Sequence, residues 1–252
     1  FSAVESRQPG RGQNKLALAL PGYSATVYLR DTVADRSTFW QCLVQQQYQT
    51  KRFPQHQRLV ERYDELLRRG EVPLIIDCGG NIGLAAVWYA HQFPKARIVS
   101  IEPDEDNLEM LRLNTDSFRD RVTIVQGGVW NQQGALSILN PNSGSAAFRV
   151  EFSDKADHGG IPAYTIDDLC QRGGSSMPLV VKLDIEGAQD HLFESNTDWV
   201  GRATLITLEL DDWLLPWQGT SRNFFSCISR YPFDYLLGGE SIFCFRDHAA
   251  NA

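Results

Sequence analysis

Apolar residues follow two rhythms along the chain. Up to residue 70 they recur mainly at helical spacing. Phe39, Trp40, Leu43 and Val44 mark a helix over 35–47 with Asp35 as its N-cap, and Leu59, Val60, Tyr63, Leu66 and Leu67 mark another. Arg68-Arg69-Gly70 closes the second helix, since cations suit the negative helix end and glycine supplies the turn beyond it. The β-branched and aromatic residues of 24–30 predict a strand before both helices. Residues 1–14 are polar, include Gly10 and Gly12, and read as a loosely attached arm.

From residue 72 short apolar runs alternate with amphipathic stretches, which predicts strands alternating with helices in a layered α/β sheet. Residues 74–77 are a continuous apolar run ending in an acid, as in a parallel strand buried on both faces. A helix over 82–93 is stopped by Pro94, a strand follows at 97–102, and Asp104 caps a helix carrying Leu108, Leu111 and Leu113. Further strands are expected at 122–126, 179–184 and 204–209, with a helix starting near Gly187 between the last two. Short strands are expected within 134–152 around the polar loop 140–144, and Thr165-x-x-Asp168 is a capping box. Residues 233–237 and 241–245 form an antiparallel hairpin around Gly238-Gly239. No repeat or Pro/Ser-rich linker interrupts the chain. It reads as one globular unit: an arm and α/β extension over 1–70 packed on a mostly parallel α/β domain over 71–252.

Composition narrows the classes. At 252 residues, 42% of them hydrophobic, the chain can bury a sizeable core without disulfides. A net charge of −7 argues against a surface that neutralises nucleic acid, but leaves room for a small ligand held locally. The apolar runs 16–20 and 83–90 fall well short of the ~18 residues of a membrane span. The five cysteines, at 42, 78, 170, 227 and 244, form no zinc-like cluster, and a reduced cytoplasmic setting follows as the default.

The most informative segment is Ile76-Asp77-Cys78-Gly79-Gly80-Asn81-Ile82-Gly83, a strand running through a glycine loop into a helix. Glu102 ends the next strand 19 residues after Gly83, where a carboxylate can accept hydrogen bonds from two ribose hydroxyls. A dinucleotide fingerprint ending at Gly83 requires glycine at 78, where Cys78 stands, and the P-loop lysine is missing. An ordinary tight turn is the plain alternative. The acids that end successive strands, at 77, 102, 184 and 209, favour a ligand site.

An antiparallel final strand beside a parallel sheet is a feature of class I S-adenosylmethionine-dependent methyltransferases, and the chain resembles their FkbM-type family. Four motifs carry the resemblance: Asp77-x-Gly-x-Asn-x-Gly83; Ile101-Glu-Pro-Asp104 with Asn107 and Asn114; Tyr164-Thr-Ile-Asp-Asp-Leu169; and Val181-Lys-Leu-Asp-Ile-Glu-Gly-Ala188. Leu29-Arg30 with Asp35 and Phe39 is similar to the family's entry segment, and the likeness spans roughly residues 26–245. It implies a Rossmann-like fold, S-adenosylmethionine as cofactor, and methyl transfer to a hydroxyl of a sugar, glycolipid or secondary metabolite. By the same resemblance Asp77, Gly79, Gly80, Asn81 and Gly83 cradle the amino-acid part of the cofactor. Glu102 then holds the ribose, with Gln126 and Gly127 near the adenine.

An alcohol must lose its proton as it is methylated, and the base candidates are Asp184 and Glu186, with Lys182 on the strand face of Asp184. A Lys182–Asp184 ion pair that only orders the loop, and charge compensation by Glu186 at a helix start, are the plain alternatives. Glu209, Asp211 and Asp212 supply acceptor contacts or, with Asp184, an oxygen-ligand site for a divalent ion, and metal is the weaker reading. His191 and His158 read as surface residues. Trp213, Leu214, Leu215 and Trp217 read as an apolar wall for the acceptor, or else as core or homodimer contact. A catalytically silent nucleoside-binding domain and an N-methyltransferase are the competing functions.

Overall fold

The computed structural model describes residues 4–8, 15–138, 150–153, 160–185, 188–213 and 216–247. Three strands, β1 (Val4–Gln8), β2 (Lys15–Ala19) and β3 (Thr26–Arg30), form an antiparallel sheet in that order. Then come α1 (Val33–Phe39), which runs into a π-helical turn at Trp40–Val44, and α2 (His56–Arg68). The main domain begins with β4 (Leu74–Cys78), α3 (Leu84–Gln92), β5 (Arg97–Glu102), α4 (Glu105–Thr115) and β6 (Val122–Gln126). A side sheet follows, of β7 (Gly128–Val129), β8 (Gly134–Ile138), β9 (Val150–Ser153) and β10 (Ile161–Tyr164), ordered β7-β10-β8-β9. The chain continues through α5 (Ile166–Gly173), β11 (Val180–Leu183), α6 (Gln189–Leu192), β12 (Leu205–Glu209) and α7 (Arg222–Ile228). It finishes in the hairpin β13 (Phe233–Gly238) and β14 (Ser241–Arg246).

The central sheet has the order β13-β14-β12-β11-β4-β5-β6. From β12 to β6 every neighbouring pair is parallel, and β14 is antiparallel to both β12 and β13. All five residues of β4 are buried, as the continuous apolar run requires of a strand covered on both faces. One face, with Ile75, Ile98, Val180, Leu205 and Phe243, packs on Val27, Leu43, Leu59 and Leu66 of the extension and on α3. The other face, with Ile76, Val99, Val181 and Ile206, packs on Leu169 of α5 and Phe224 of α7. Residues of the extension thus share the sheet's own core. Fully burying a leucine such as Leu43 contributes about 1.5–3 kcal/mol.

Three expectations are corrected. The stretch read as a loose arm contains β1, paired with β2 from Val4↔Ala19 to Gln8↔Lys15. The N-cap of α1 is Thr32, whose Oγ1 accepts from the Asp35 N–H at 3.1 Å. Asp35 sits one turn in and is buried because its carboxylate takes the Arg30 guanidinium and backbone N–H instead. The hairpin closes one residue later than expected, with Gly238 opposite Ser241 and Gly239 at φ +67°. The loop 140–144, His158, Gly187, Leu214 and Leu215 lie outside the described residues.

Candidate active site

Strand register builds the site. Parallel pairing sets Ser100, Asp77, Lys182 and Thr207 side by side on β5, β4, β11 and β12. Side chains repeat every two residues on a strand face, so Glu102, Gly79, Asp184 and Glu209 follow on that face at the strand ends. Strand order reverses between β4 and β11, the place where an open α/β sheet leaves a crevice for ligands. A cavity of about 260 Å³ opens there. Gly79, Gly80, Asn81, Lys182, Asp184 and Glu209 line it from the sheet side. The extension contributes Ser37, Thr38, Gln41, Cys42, Gln47 and Tyr48.

Two glycines of the loop are dictated by backbone approach. Gly79 has φ +79°, and a Cβ there would overlap the carbonyl oxygen of Asp184, so the ends of β4 and β11 meet only without a side chain. Gly83, at φ +86°, starts α3, and its Cβ would lie 3.1 Å from Leu111 Cα, which sets the close packing of α3 on α4. Between them Asn81 takes φ +47°, strained for a residue with a side chain. Its N–H donates to Glu102 Oε2 at 2.7 Å, which holds the loop in that shape.

Lys182 is the buried hub. Its Nζ donates to Gly79 O at 2.6 Å and lies 3.1 Å from Asp77 Oδ1 and 3.4 Å from Asp184 Oδ2. The Asp77 contact is ionic and off the hydrogen-bond axis, while Asp77 Oδ2 accepts from Ser100 Oγ at 2.7 Å. Burial alone works against the charged ammonium, but Asp77 and Asp184 hold its pKa well above the usual value. Side-chain exposure is 3% for Lys182, 0% for Asp77 and 40% for Asp184, so of the three only Asp184 presents substantial surface.

Glu102 ends β5 beneath the loop. Besides Asn81 it accepts from the Asp104 N–H at 3.0 Å and from Asn107 Nδ2 at 3.4 Å. Burial outweighs those donors and pushes its pKa up to about 7. Asn107 Oδ1 in turn accepts from Arg30, which is locked to Asp35, so a polar chain runs from the extension to the loop. Asn114 clamps β3 to that region, accepting from the Tyr28 N–H and donating to the carbonyls of Tyr28 and Ile82. Glu209, at the end of β12, is likewise raised to about 7, first by burial and then by Asp184 and Glu240.

Of the residues singled out in the sequence, Gly79, Gly80, Asn81, Lys182 and Asp184 meet at the cavity, joined by Glu209. Asp77 lies a layer below, and Gly83 behind the loop. Gln126 is exposed at the end of β6 opposite Glu102, and Gly127 is pressed against Pro162 and Tyr164 of β10. None of these four, nor Glu102, is on the cavity wall. Glu186 lies outside the described residues. His191 is exposed and stacks on Trp130, away from this cluster. Trp213 and Trp217 are 79% and 99% exposed. Among the described residues no cluster of three potential metal ligands occurs, and no helix is long and apolar enough to cross a membrane. Sequence spacing gave no sign of the walls that α1 and the π-helical turn supply through Ser37, Thr38 and Gln41, since polar residues along a helix carry no ligand-specific pattern.

The sheet order, with reversed β14 between β12 and β13 and the crevice between β4 and β11, defines the class I methyltransferase fold. The model of the methyltransferase FkbM domain matches residues 77–214, more than half of the chain, and the protein belongs to that family. It is similar to the hexuronic acid methyltransferase AglP of Haloferax volcanii, at 25% identity over 143 residues, 56% of either protein. The chain thus spans about half the length of that curated relative. Solved structures similar to it include a methyltransferase from Geobacter sulfurreducens, with 16% identity, 87% of this chain and 93% of that one covered, and a TM-score of 0.40. Another is the fibrillarin pre-rRNA processing protein of Methanococcus jannaschii, with 9% identity, coverage of 97% and 96%, and a TM-score of 0.43.

Proposed function

We propose that this chain is an S-adenosylmethionine-dependent O-methyltransferase acting on a hydroxyl of a sugar, glycolipid or related secondary metabolite. The observation that carries this reading is the cavity itself, a glycine loop facing Asp184 and Glu209 across the switch point of the sheet. The donor set fits the cofactor. The described walls carry two carboxylates and one cation, Lys182, which is already matched by Asp77, so a cationic sulfonium is the favoured guest. Glu102 is buried beneath the loop and off the cavity wall, so its part here is to hold the loop at Asn81 in shape.

When bound, the cofactor supplies an electrophilic methyl group on sulfur. The chain's own residues do the remaining work. Asp184 accepts a hydrogen bond from the acceptor hydroxyl and orients it. Lys182 is a positioning residue that fixes Asp184 and the loop at Gly79 together. Ser37, Thr38 and Gln41 offer neutral donors and acceptors suited to a polyhydroxyl compound. The excess of carboxylate at the cavity disfavours an anionic acceptor group and favours a neutral hydroxyl.

Calorimetry tests the reading. S-adenosylmethionine and its demethylated product should both bind, and Asp184→Asn should lower turnover far more than cofactor affinity. Folded protein that binds neither compound refutes it.

A further inference from the structure

We propose that Glu209, at the tip of β12, is the residue that takes the proton from the acceptor hydroxyl, while Asp184, held by Lys182, keeps that hydroxyl in place. The inference rests on the methyltransferase reading above and adds a catalytic residue to it.

The division of roles follows from what each carboxylate touches. Leu183 pairs with Leu208, so the next residues of the two parallel strands, Asp184 and Glu209, stand side by side on the same face of the sheet and both line the cavity. Asp184 Oδ2 lies 3.4 Å from the buried Lys182 ammonium, so this carboxylate is engaged in an ion pair and held in a fixed position on the cavity wall. Glu209 is half-buried and has no ion-pair partner among the described residues; its nearest donor is Ser241 Oγ, at 3.4 Å from Oε1. Its backbone carbonyl accepts from Gln189 Nε2 at 3.1 Å, which fixes the strand end that carries it. The charged and titratable groups around it are Lys182 on β11 and Asp184 just past its end, Glu240 in the β13–β14 turn, and Cys42 and Tyr48 across the cavity. Two acids face it and the one cation is shared between Asp77 and Asp184, so a proton is favoured on Glu209. Burial and these neighbours bring it to about 7, where a carboxylate exchanges protons near neutral pH.

The step balances without a further reagent. The acceptor O–H bond breaks and its proton passes to Glu209 as an oxygen lone pair forms the O–CH₃ bond. The electron pair of the old C–S bond stays on sulfur, which becomes a neutral thioether, and Glu209 then loses the proton to water.

Two measurements decide the proposal. In ¹³C-glutamate-labelled protein without ligand, the Glu209 carboxyl resonance, assigned by its loss in Glu209→Gln, should titrate near neutral pH and move to lower pH in Asp184→Asn. A midpoint in the ordinary glutamate range, about 4.3, or one unmoved by Asp184→Asn overturns the proposal. In the second, turnover is followed with S-adenosylmethionine and methyl glycosides of neutral hexoses as acceptors. Glu209→Gln should lose at least about 100-fold in turnover, far more than it loses in calorimetric affinity for the cofactor. The wild-type rate should rise with pH to a plateau, and Glu209→Asp should keep that rise where Glu209→Gln lacks it. Wild-type turnover in Glu209→Gln, or an unchanged pH rise there, overturns the assignment. Wild-type protein that releases no product from these glycosides counts against the acceptor class proposed above, and the titration still decides the role of Glu209.

Discussion

Replacing Glu102 by glutamine should change how the stability of the fold depends on pH. Glu102 is 4% exposed, and burial lifts its pKa from an ordinary 4.5 to about 7 despite three hydrogen bonds to the carboxylate. The folded state therefore binds this proton more tightly than the unfolded state. Between the two values the folded chain holds more protons, and stability falls as pH rises until the full penalty is reached above the folded pKa. At about 1.4 kcal/mol per pH unit the penalty amounts to about 3 kcal/mol. Glu102→Gln removes it. The variant also places an amide N–H against either the Asn81 N–H or the Asp104 N–H, a pH-independent cost of about 1–3 kcal/mol. Urea unfolding of both proteins between about pH 4.5 and 7.5 isolates the first term, because other groups cancel in the difference. The wild-type advantage should shrink by about 3 kcal/mol as pH rises. An advantage that is constant across the range, or that grows with pH, refutes the reasoning.

Two further perturbations address the buried hub and the loop. Lys182→Met leaves Asp77 buried with only the Ser100 hydroxyl, and should cost about 3–5 kcal/mol in urea unfolding. Adding Asp77→Leu should recover most of that loss, and a neutral single variant shows that the ammonium is not what balances Asp77. Gly79→Ala forces a side chain into positive φ and into the Asp184 carbonyl; it should lower stability by at least about 2 kcal/mol and weaken cofactor binding in calorimetry. Wild-type melting and affinity in that variant mean that the end of β11 yields freely.

Strands that are buried on both faces were the most legible part of the sequence. Residues 97–102 match β5 to the residue, because a continuous apolar run with turn residues on either side has few alternatives; residues 122–126 match the edge strand β6 as closely, although Thr123 and Gln126 are exposed. The capping box at Thr165 and Asp168 was equally plain, both of its hydrogen bonds being formed. Short or weakly apolar strands were not legible: β1 and the two-residue β7 carry too little pattern to stand out from polar loop. At the site, the glycine loop and Asp184 could be found from spacing. Their causes could not. Sequence spacing suggests that Gly79 admits a ligand, whereas the structure gives it a nearer reason in the Asp184 carbonyl. Asp77 looked like a ligand contact, and its burial against Lys182 depends on a register between strands 105 residues apart in the chain.

The family match begins at Asp77, yet half of the cavity wall comes from residues before it. Ser37, Thr38, Gln41 and Tyr48 reach the cavity because α1 and the π-helical turn lie on the same sheet face as Lys182 and Glu209, over the core that Leu43 and Val27 share with Ile75. The Arg30–Asp35 pair ties this segment through Asn107 to Glu102, and Glu102 to the loop at Asn81. Loop shape and cavity wall are therefore set by one connected piece of structure. A change in the extension that moved Arg30 would alter the support of Glu102 as well as the far wall of the cavity. Differences in acceptor between chains that share the 77–214 core would then be expected to reside in residues 30–50, where the sheet contributes no wall of its own.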